Sequence, residues 1–529
     1  MNLRSTAATA DSSRKLLMSF VFVLIFAVAA YEFSELVLAG DLKGFAYVGL
    51  VAVGGVFVIA ILNNWRNGFY LFFTWLLFED LARKYLGNNM AIYFAKDVLV
   101  AIVYMSFIIA VRRKKTVKIV RPPFFAAVML LVWFGIMQMF NPASSTIVYG
   151  ILGVKLFFWY IPMYFVGYAL LNSEADLRRF FRVNAWLAII ITGLGVAQSI
   201  IGPSFLNPAR PAEEIRELST LYRVSPITGL VSYRAPSVFV SAGRYTNYLL
   251  IAWVLMLAFT GYLLLRHRRG RNIAFISLAV VYAAVLLSGS RGVFLWTAGE
   301  ALFIVAAFLW GAPWRQREVI RVFRTVQRAG LAIGLAVVAL FFVFPDALFA
   351  RLAIYSETLT PGSSASELQS RTWDYPLRNF LGAFNYDRWP YGFGIGTSSL
   401  GVQYVAKIFH GAPMGVGVES GFGALVVEMG IGGLILWLVM SIAIIVSAWK
   451  VVKKLKGSPW FPMAFAIFLY AVVLLLPITF TSMQAYEDFV INAYFWTLLG
   501  IVFRLPSLAL SSQFANVSAP AGDPRQRPR

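Results

Sequence analysis

The chain has 529 residues, 60% of them hydrophobic and only 13% charged, with a mean hydropathy of +0.73. It has no cysteine and two histidines, His267 and His410, which excludes disulfides, thiolate metal sites and a histidine-rich metal centre. The net charge is +22, but the basic residues lie mostly in short loops between apolar runs, so the charge speaks for membrane topology and not for nucleic acid.

Apolar runs near 20 residues predict an all-α polytopic membrane protein. Fourteen spans are expected, at about 17–37, 45–63, 67–79, 93–111, 123–140, 147–171, 183–201, 246–265, 273–288, 292–310, 330–345, 421–447, 461–480 and 488–504. The first run is long and followed by many others, so it reads as a transmembrane helix and not as a cleaved signal. With Arg4, Arg14 and Lys15 cytoplasmic, alternate loops hold Arg66, Arg112 to Arg121, Arg178 to Arg182, Arg266 to Arg271, Arg315 to Arg328 and Lys450 to Lys456. Every short cytoplasmic loop agrees with the positive-inside rule, so both termini are expected in the cytoplasm. Two long loops, about 202–245 and 346–420, are then external. The larger joins spans 11 and 12 and is expected to be partly helical. Residues 1–505 read as one transmembrane domain and 506–529 as a disordered Arg/Pro-rich tail. No internal repeat or inverted symmetry of the transporter kind is visible.

The larger loop is the stretch to explain. Loops beyond about 15 residues are usually functional or disordered. Trp373, Tyr375, Phe380, Phe384, Tyr386, Trp389, Tyr391 and Phe393 are too many aromatics for a solvated tail, so the segment reads as the cap of an active site. Arg371 and Arg378 lie in a stretch patterned as an amphipathic helix, with Trp373, Leu377, Phe380 and Leu381 apolar. Gly392-Phe-Gly-Ile-Gly396 has no βαβ unit around it and reads as a tight turn.

Other cations share the expected outer side. Arg291 sits in the turn Ser288-Gly-Ser-Arg-Gly292, Arg234 in Tyr233-Arg-Ala-Pro236, and Arg244 opens span eight. Each suits an interfacial anchor as well as an anion ligand. Guanidinium groups bind phosphate in fork geometry, and the ligand these cations would share is a diphosphate delivered from within the bilayer, with Trp373 and Tyr375 suited to sugar faces. No Asp-x-Asp pair marks a sugar-nucleotide metal site. Within the spans, Lys96-Asp97, Lys155, Glu300 and Glu428 each cost about 2.5–3.5 kcal/mol near a helix centre. Lys155 suits a buried anion, or pairing with Glu300 or Glu428.

Ser290-Arg291-Gly292, Arg371 about 80 residues on, and Glu419-Ser420 followed by nine residues and Gly430-Ile-Gly-Gly433 together resemble the O-antigen ligase and polymerase superfamily of bacterial envelope glycosyltransferases. Arg371 to Gly382 also fits the Arg-x10-Gly spacing of its polymerases. The resemblance covers about 230–445. It implies a multi-pass protein of the bacterial inner membrane that acts, without metal or cofactor, on undecaprenyl-diphosphate-linked glycans at the outer face. Partners implied are lipid-linked glycans, membrane lipids and other assembly proteins, such as a flippase or chain-length regulator. Ligases begin the last motif with a pair such as His-Asn. Glu419-Ser420 stands there instead, and His410 lies nine residues earlier, which points to a polymerase of O-antigen, capsule or exopolysaccharide.

The expected reaction is inverting transfer of one lipid-linked glycan onto another repeat. Glu419 would be the base, Arg291 and Arg371 would hold the diphosphate, and Arg234, Arg244, Arg378, Lys155, Trp373, Tyr375 and His410 would contact substrate. A ligase to a lipid or protein acceptor, and a lipid-glycan flippase or other transporter, are the rival readings. A flippase should line a path through its spans with cations, whereas here the external loops hold most noncytoplasmic ones.

Overall fold

The computed structural model describes residues 54–56, 58–87, 90–113, 119–208, 216–218, 220–266, 270–313, 344–399, 402 and 417–517, with isolated positions at 49 and between 324 and 342. Among them, eight helices are long and apolar enough to cross a membrane: Ala91–Arg113, Ile147–Leu170, Glu174–Ile201, Ala242–Leu265, Arg291–Gly311, Gly421–Lys454, Phe461–Thr481 and Phe489–Leu510. The spans expected at 123–140 and 273–288 are shorter apolar helices, Phe125–Gln138 and Arg271–Leu287. The span expected at 67–79 is part of a helix, Trp65–Leu86, whose second half carries Glu79, Asp80, Arg83 and Lys84. The span at 17–37 lies outside the described residues, as do part of 45–63 and most of 330–345.

The chain divides into two compact units, Met1–Phe73 with Asp97–Ala110, and Thr74–Lys96 with Val111–Arg529. In the first, the Ser106 hydroxyl donates to the Ile61 carbonyl at 2.9 Å and Trp65 meets Phe107 edge-on at 5.1 Å.

The larger unit holds the features that follow. Helix α1 (Glu174–Ile201) starts at a capping box, in which Ser173 and Asp176 satisfy each other's backbone N–H groups. A hairpin follows, β1 (Tyr222–Val224) antiparallel to β2 (Val231–Tyr233), with Arg223 opposite Ser232. Helix α2 (Ala242–Leu265) is capped by Ser241. A tight turn at Gly289 joins α3 (Arg271–Leu287) to α4 (Arg291–Gly311).

Helix α5 (Pro345–Leu359) opens on a proline, whose missing N–H costs nothing in a first turn. It braces the hairpin. Arg351 is buried and donates to the carbonyls of Leu287 at 2.6 Å, Tyr233 at 2.9 Å and Ser199 at 3.4 Å. The Glu357 carboxylate accepts from the hairpin-turn N–H groups of Ile227 at 2.7 Å and Thr228 at 3.2 Å, and from the Ser225 hydroxyl.

A π-helical turn, Ser370–Asp374, runs into α6 (Tyr375–Gly382). The segment expected to be partly helical is so. Helix α7 (Gly421–Lys454) is capped by Ser420 but breaks at Gly430, where φ is +68° and ψ −175°. The stretch 389–394 enters that break. Phe393 N–H donates to Val427 O at 2.8 Å, Gly394 N–H to Glu428 O at 2.9 Å, and Ile431 N–H to Trp389 O at 3.2 Å. A Cβ on Gly430 would stand 2.4 Å from Pro390 O, and one on Gly392 would stand 2.4 Å from Glu428 O, so close approach of the backbones requires glycine at both. The Gly-rich run expected as a tight turn does turn, with positive φ at Gly392, Gly394 and Gly396, and it is also bonded to the broken helix. Helix α8 (Phe461–Val473) continues through a π-turn around Pro477, and α9 (Phe489–Val517) continues past Leu505, where the sequence suggests that a tail begins.

Candidate functional site: a cation-ended cavity beside α4 and α6

Two cavities share α6 as a wall. The first has a volume of about 990 Å³. Trp373, Leu377 and Phe380, at i, i+4 and i+7, turn one face of the π-turn and α6 toward it, as the helical period requires. Phe422, Leu476, Pro477 and Phe480 continue this apolar wall, with Phe480 5.9 Å from Trp373 and 5.8 Å from Phe422 between ring centres. Leu295, Trp296 and Gly299 of α4 complete it.

The polar end of the cavity is formed by Arg223, Ser290, Arg291, Glu367, Arg371 and Thr372. Three guanidinium groups thus face one carboxylate. Glu367 bridges two of them, at 2.8 Å to Arg291 and 3.1 Å to Arg371. Hydrogen bonding from Arg291, with the Arg371 charge beside it, holds Glu367 below the usual carboxylate range. The third, Arg223, donates to Gly289 O at 3.2 Å. Burial, with the positive charges of Arg291 and Arg234 beside it, holds Arg223 down at about 10. The N-terminus of α4 adds to this polarity, because Ser290 caps it with no side-chain hydrogen bond and the first N–H groups lie at the cavity. A helix N-terminus flanked by arginines attracts an oxyanion.

The second cavity, about 510 Å³, lies on the opposite face of α6 and is lined by Tyr375, Arg378, Asn379, Gly382, Asn385, Tyr386 and Val418. Aromatic rings, amides and a guanidinium are the groups that line sugar sites. Glu419 adjoins it. It is exposed, and its N–H donates to Asn379 Oδ1 at 3.5 Å.

Of the residues singled out in the sequence, Arg291, Arg371 and Trp373 share the first cavity, and Tyr375 and Arg378 share the second. Arg234 lies behind the first, where burial lowers its pKa. Arg244 is held elsewhere: its guanidinium pairs with Asp80 at 2.6 Å and Asp488 at 3.5 Å and lies over the Phe489 ring. Lys155 sits against the rings of Tyr93 and Phe94, at 4.8 and 4.6 Å. Glu428, one of its expected partners, is held instead by Gly396 N–H at 2.9 Å and by Ser398 N–H and Oγ at 3.0 and 2.8 Å. Lys96 pairs with Glu79 at 3.2 Å. His410 and His267 lie outside the described residues.

Sequence reasoning missed Arg223 and Glu367. Their only signal is charge within loops read as external, and neither has a sequence neighbour that announces its partner. Among the described residues, no three His, Cys, Asp or Glu side chains are grouped to hold a metal ion. The fold and cavities define the chain as an all-α protein with several apolar helices of membrane-crossing length and an amphipathic, cation-ended site. Searches of protein-family models and of curated proteins found no match.

Proposed function

We propose that the protein is a polysaccharide polymerase, an inverting glycosyltransferase that works without a metal or resident cofactor and moves undecaprenyl-diphosphate-linked glycan onto another lipid-linked repeat. In this reading it crosses the bacterial inner membrane about fourteen times with both termini cytoplasmic. The loops 202–245 and 346–420 are external, so the reaction occurs at the outer face, alongside a flippase and a chain-length regulator.

The observation that carries the reading is the 990 Å³ cavity, with three arginines and a helix N-terminus at one end and an aromatic, aliphatic wall along the rest. That polarity suits a diphosphate attached to a polyprenyl chain. The second cavity across α6 suits the acceptor sugar. An acceptor hydroxyl oxygen attacks the anomeric carbon and gives its proton to the Glu419 carboxylate. The bond from that carbon to the diphosphate oxygen breaks, and its electron pair leaves with the diphosphate. Arg291, Arg371 and Arg223 stabilise the charge that develops there. Glu419 suits the base because it is exposed, immediately precedes the N-cap of α7 and adjoins the second cavity. The neutralisation of Arg244 by Asp80 and Asp488 favours an enzyme over a transporter, since these buried charges are spent on each other.

The test is purified protein in lipid, supplied with undecaprenyl-diphosphate-linked repeats. Wild type should make ladders of polymer. Glu419→Gln should lose activity by about 10²–10⁴-fold, the usual worth of general-base catalysis. Single repeats left unextended but transferred to a separate acceptor would point to a ligase. No transfer to any acceptor would overturn the enzyme reading.

A further inference from the structure

The polar end of the first cavity is already occupied by a carboxylate of the chain itself. Glu367 places one oxygen 2.8 Å from Arg291 and the other 3.1 Å from Arg371, so one anionic group spans two guanidiniums from two different elements. Arg371 lies one helical turn after Glu367, and its N–H donates to the Glu367 carbonyl at 2.8 Å, which fixes this pair on one segment. Arg291 is the first residue of α4. The bridge thus ties the segment leading into α6 to the N-terminus of α4. It is not sealed: the Glu367 and Arg371 side chains are 38% and 59% exposed, against 14% for Arg291. The carboxylate takes one guanidinium nitrogen of each arginine, an Nη of Arg291 and Nε of Arg371, and a phosphate that bridges the two arginines through those same nitrogens must displace it.

We infer that Glu367 is an internal competitor for the oxyanion seat, a carboxylate latch that a phosphate-class ligand must displace from Arg291 and Arg371. The inference rests on the reading of the arginine cluster as the diphosphate site and adds how that site is regulated. With the latch closed, the seat is available only for the fraction of time that Glu367 swings out, and apparent affinity falls by that fraction. Weak ambient anions are thereby kept off two arginines that would otherwise gather them. A ligand held by the apolar wall as well as by its phosphates carries enough additional affinity to open the latch. Displacement also breaks the tie from Glu367 to Arg291, so occupancy of the seat is communicated to the segment bearing Trp373.

The opposite expectation is equally definite. If the bridge merely positions the arginines, removing the carboxylate disperses them and weakens the site. The experiment is titration of inorganic diphosphate into the purified full-length protein in detergent, followed by calorimetry, for wild type, Glu367→Gln and Glu367→Asp. The latch predicts tighter binding in Glu367→Gln, by about tenfold for a competitor that holds the seat nine-tenths of the time. Glu367→Asp, which keeps the charge but not the reach to span both arginines, should fall between the two. Unchanged or weaker binding in Glu367→Gln overturns the latch. If Glu367→Gln does not yield folded protein, Glu367→Asp decides: tighter binding supports the latch, and equal or weaker binding overturns it. Failure of the underlying site looks different. In that case diphosphate binds neither wild type nor either variant, and both the seat and the latch fall.

Discussion

Arg351 and Arg291 belong to neighbouring parts of one assembly and are used in opposite ways. Arg351, fully packed inside the protein, gives its N–H groups to the carbonyls of Leu287, Tyr233 and Ser199 and so pins the ends of α1 and α3 and the second hairpin strand to α5. Its Nε and one Nη are given to neutral backbone groups. Arg291 and Arg371 face a cavity and meet a single, partly exposed carboxylate. Under the proposed function, the same side chain is structural where it is bound to buried backbone carbonyls and functional where it faces a cavity. The number and kind of acceptors around a guanidinium decides which.

The largest expected effect lies on the structural side. Arg351→Met fills similar space but leaves buried carbonyls without a donor, at about 1–3 kcal/mol for each orphaned group. The melting temperature in detergent should fall sharply and the yield of folded protein with it. Wild-type stability in Arg351→Met would erase the distinction.

Next comes the functional side. Arg291→Lys and Arg371→Lys keep the charge and lose the fork, and each should reduce polymer formation by about 10²-fold, the typical worth of one preorganised oxyanion donor. Stability should change little, since the charge is kept and ion pairs to a part-exposed carboxylate contribute only about 0–1 kcal/mol. Paired measurement of melting and turnover checks this. A large loss of stability in Arg371→Lys would move that residue into the same class as Arg351.

That contrast also marks what was legible in the sequence. Apolar runs of helical length are local, so the helices from Ala91 to Leu510 could be read directly. The amphipathic stretch around Arg371 was equally local, and its two faces do line different cavities. Arg291 stood out because a short turn holds it. Partnership was not legible. Glu367 and Arg291 are brought together only by the packing of α4 against the segment before α6. Arg223 reaches Gly289 only because the hairpin folds back over that turn. Glu428 reads in the sequence as a costly charge that could pair with Lys155, because its partners, N–H groups of Gly396 and Ser398, lie in a distant loop. Arg351 carried no signal at all, since a carbonyl acceptor leaves no trace in residue type. The break at Gly430 is hidden too: the four residues Gly430-Ile-Gly-Gly433 carry no sign of the backbone that enters there.

The smallest effect sharpens the comparison within the cavity itself, between its cationic end and its apolar wall. Trp373 is 59% exposed and touches Phe480, so it contributes little to the fold and presents an open indole face to the cavity. If a polyprenyl chain covers roughly 50 Å² of that face at about 25 cal/mol per Å², Trp373→Ala loses about 1.2 kcal/mol, close to a tenfold weaker hold on the lipid-linked repeat. Such a contact is the same in ground and transition states, so KM should rise while kcat stays near wild type. Inorganic diphosphate has no chain to lay on the wall, and its affinity should be unchanged in the same variant. The two titrations therefore divide the cavity. Loss of diphosphate binding in Trp373→Ala would mean that the wall and the cations act as one unit. An unchanged KM for the lipid-linked repeat would mean that the chain lies elsewhere.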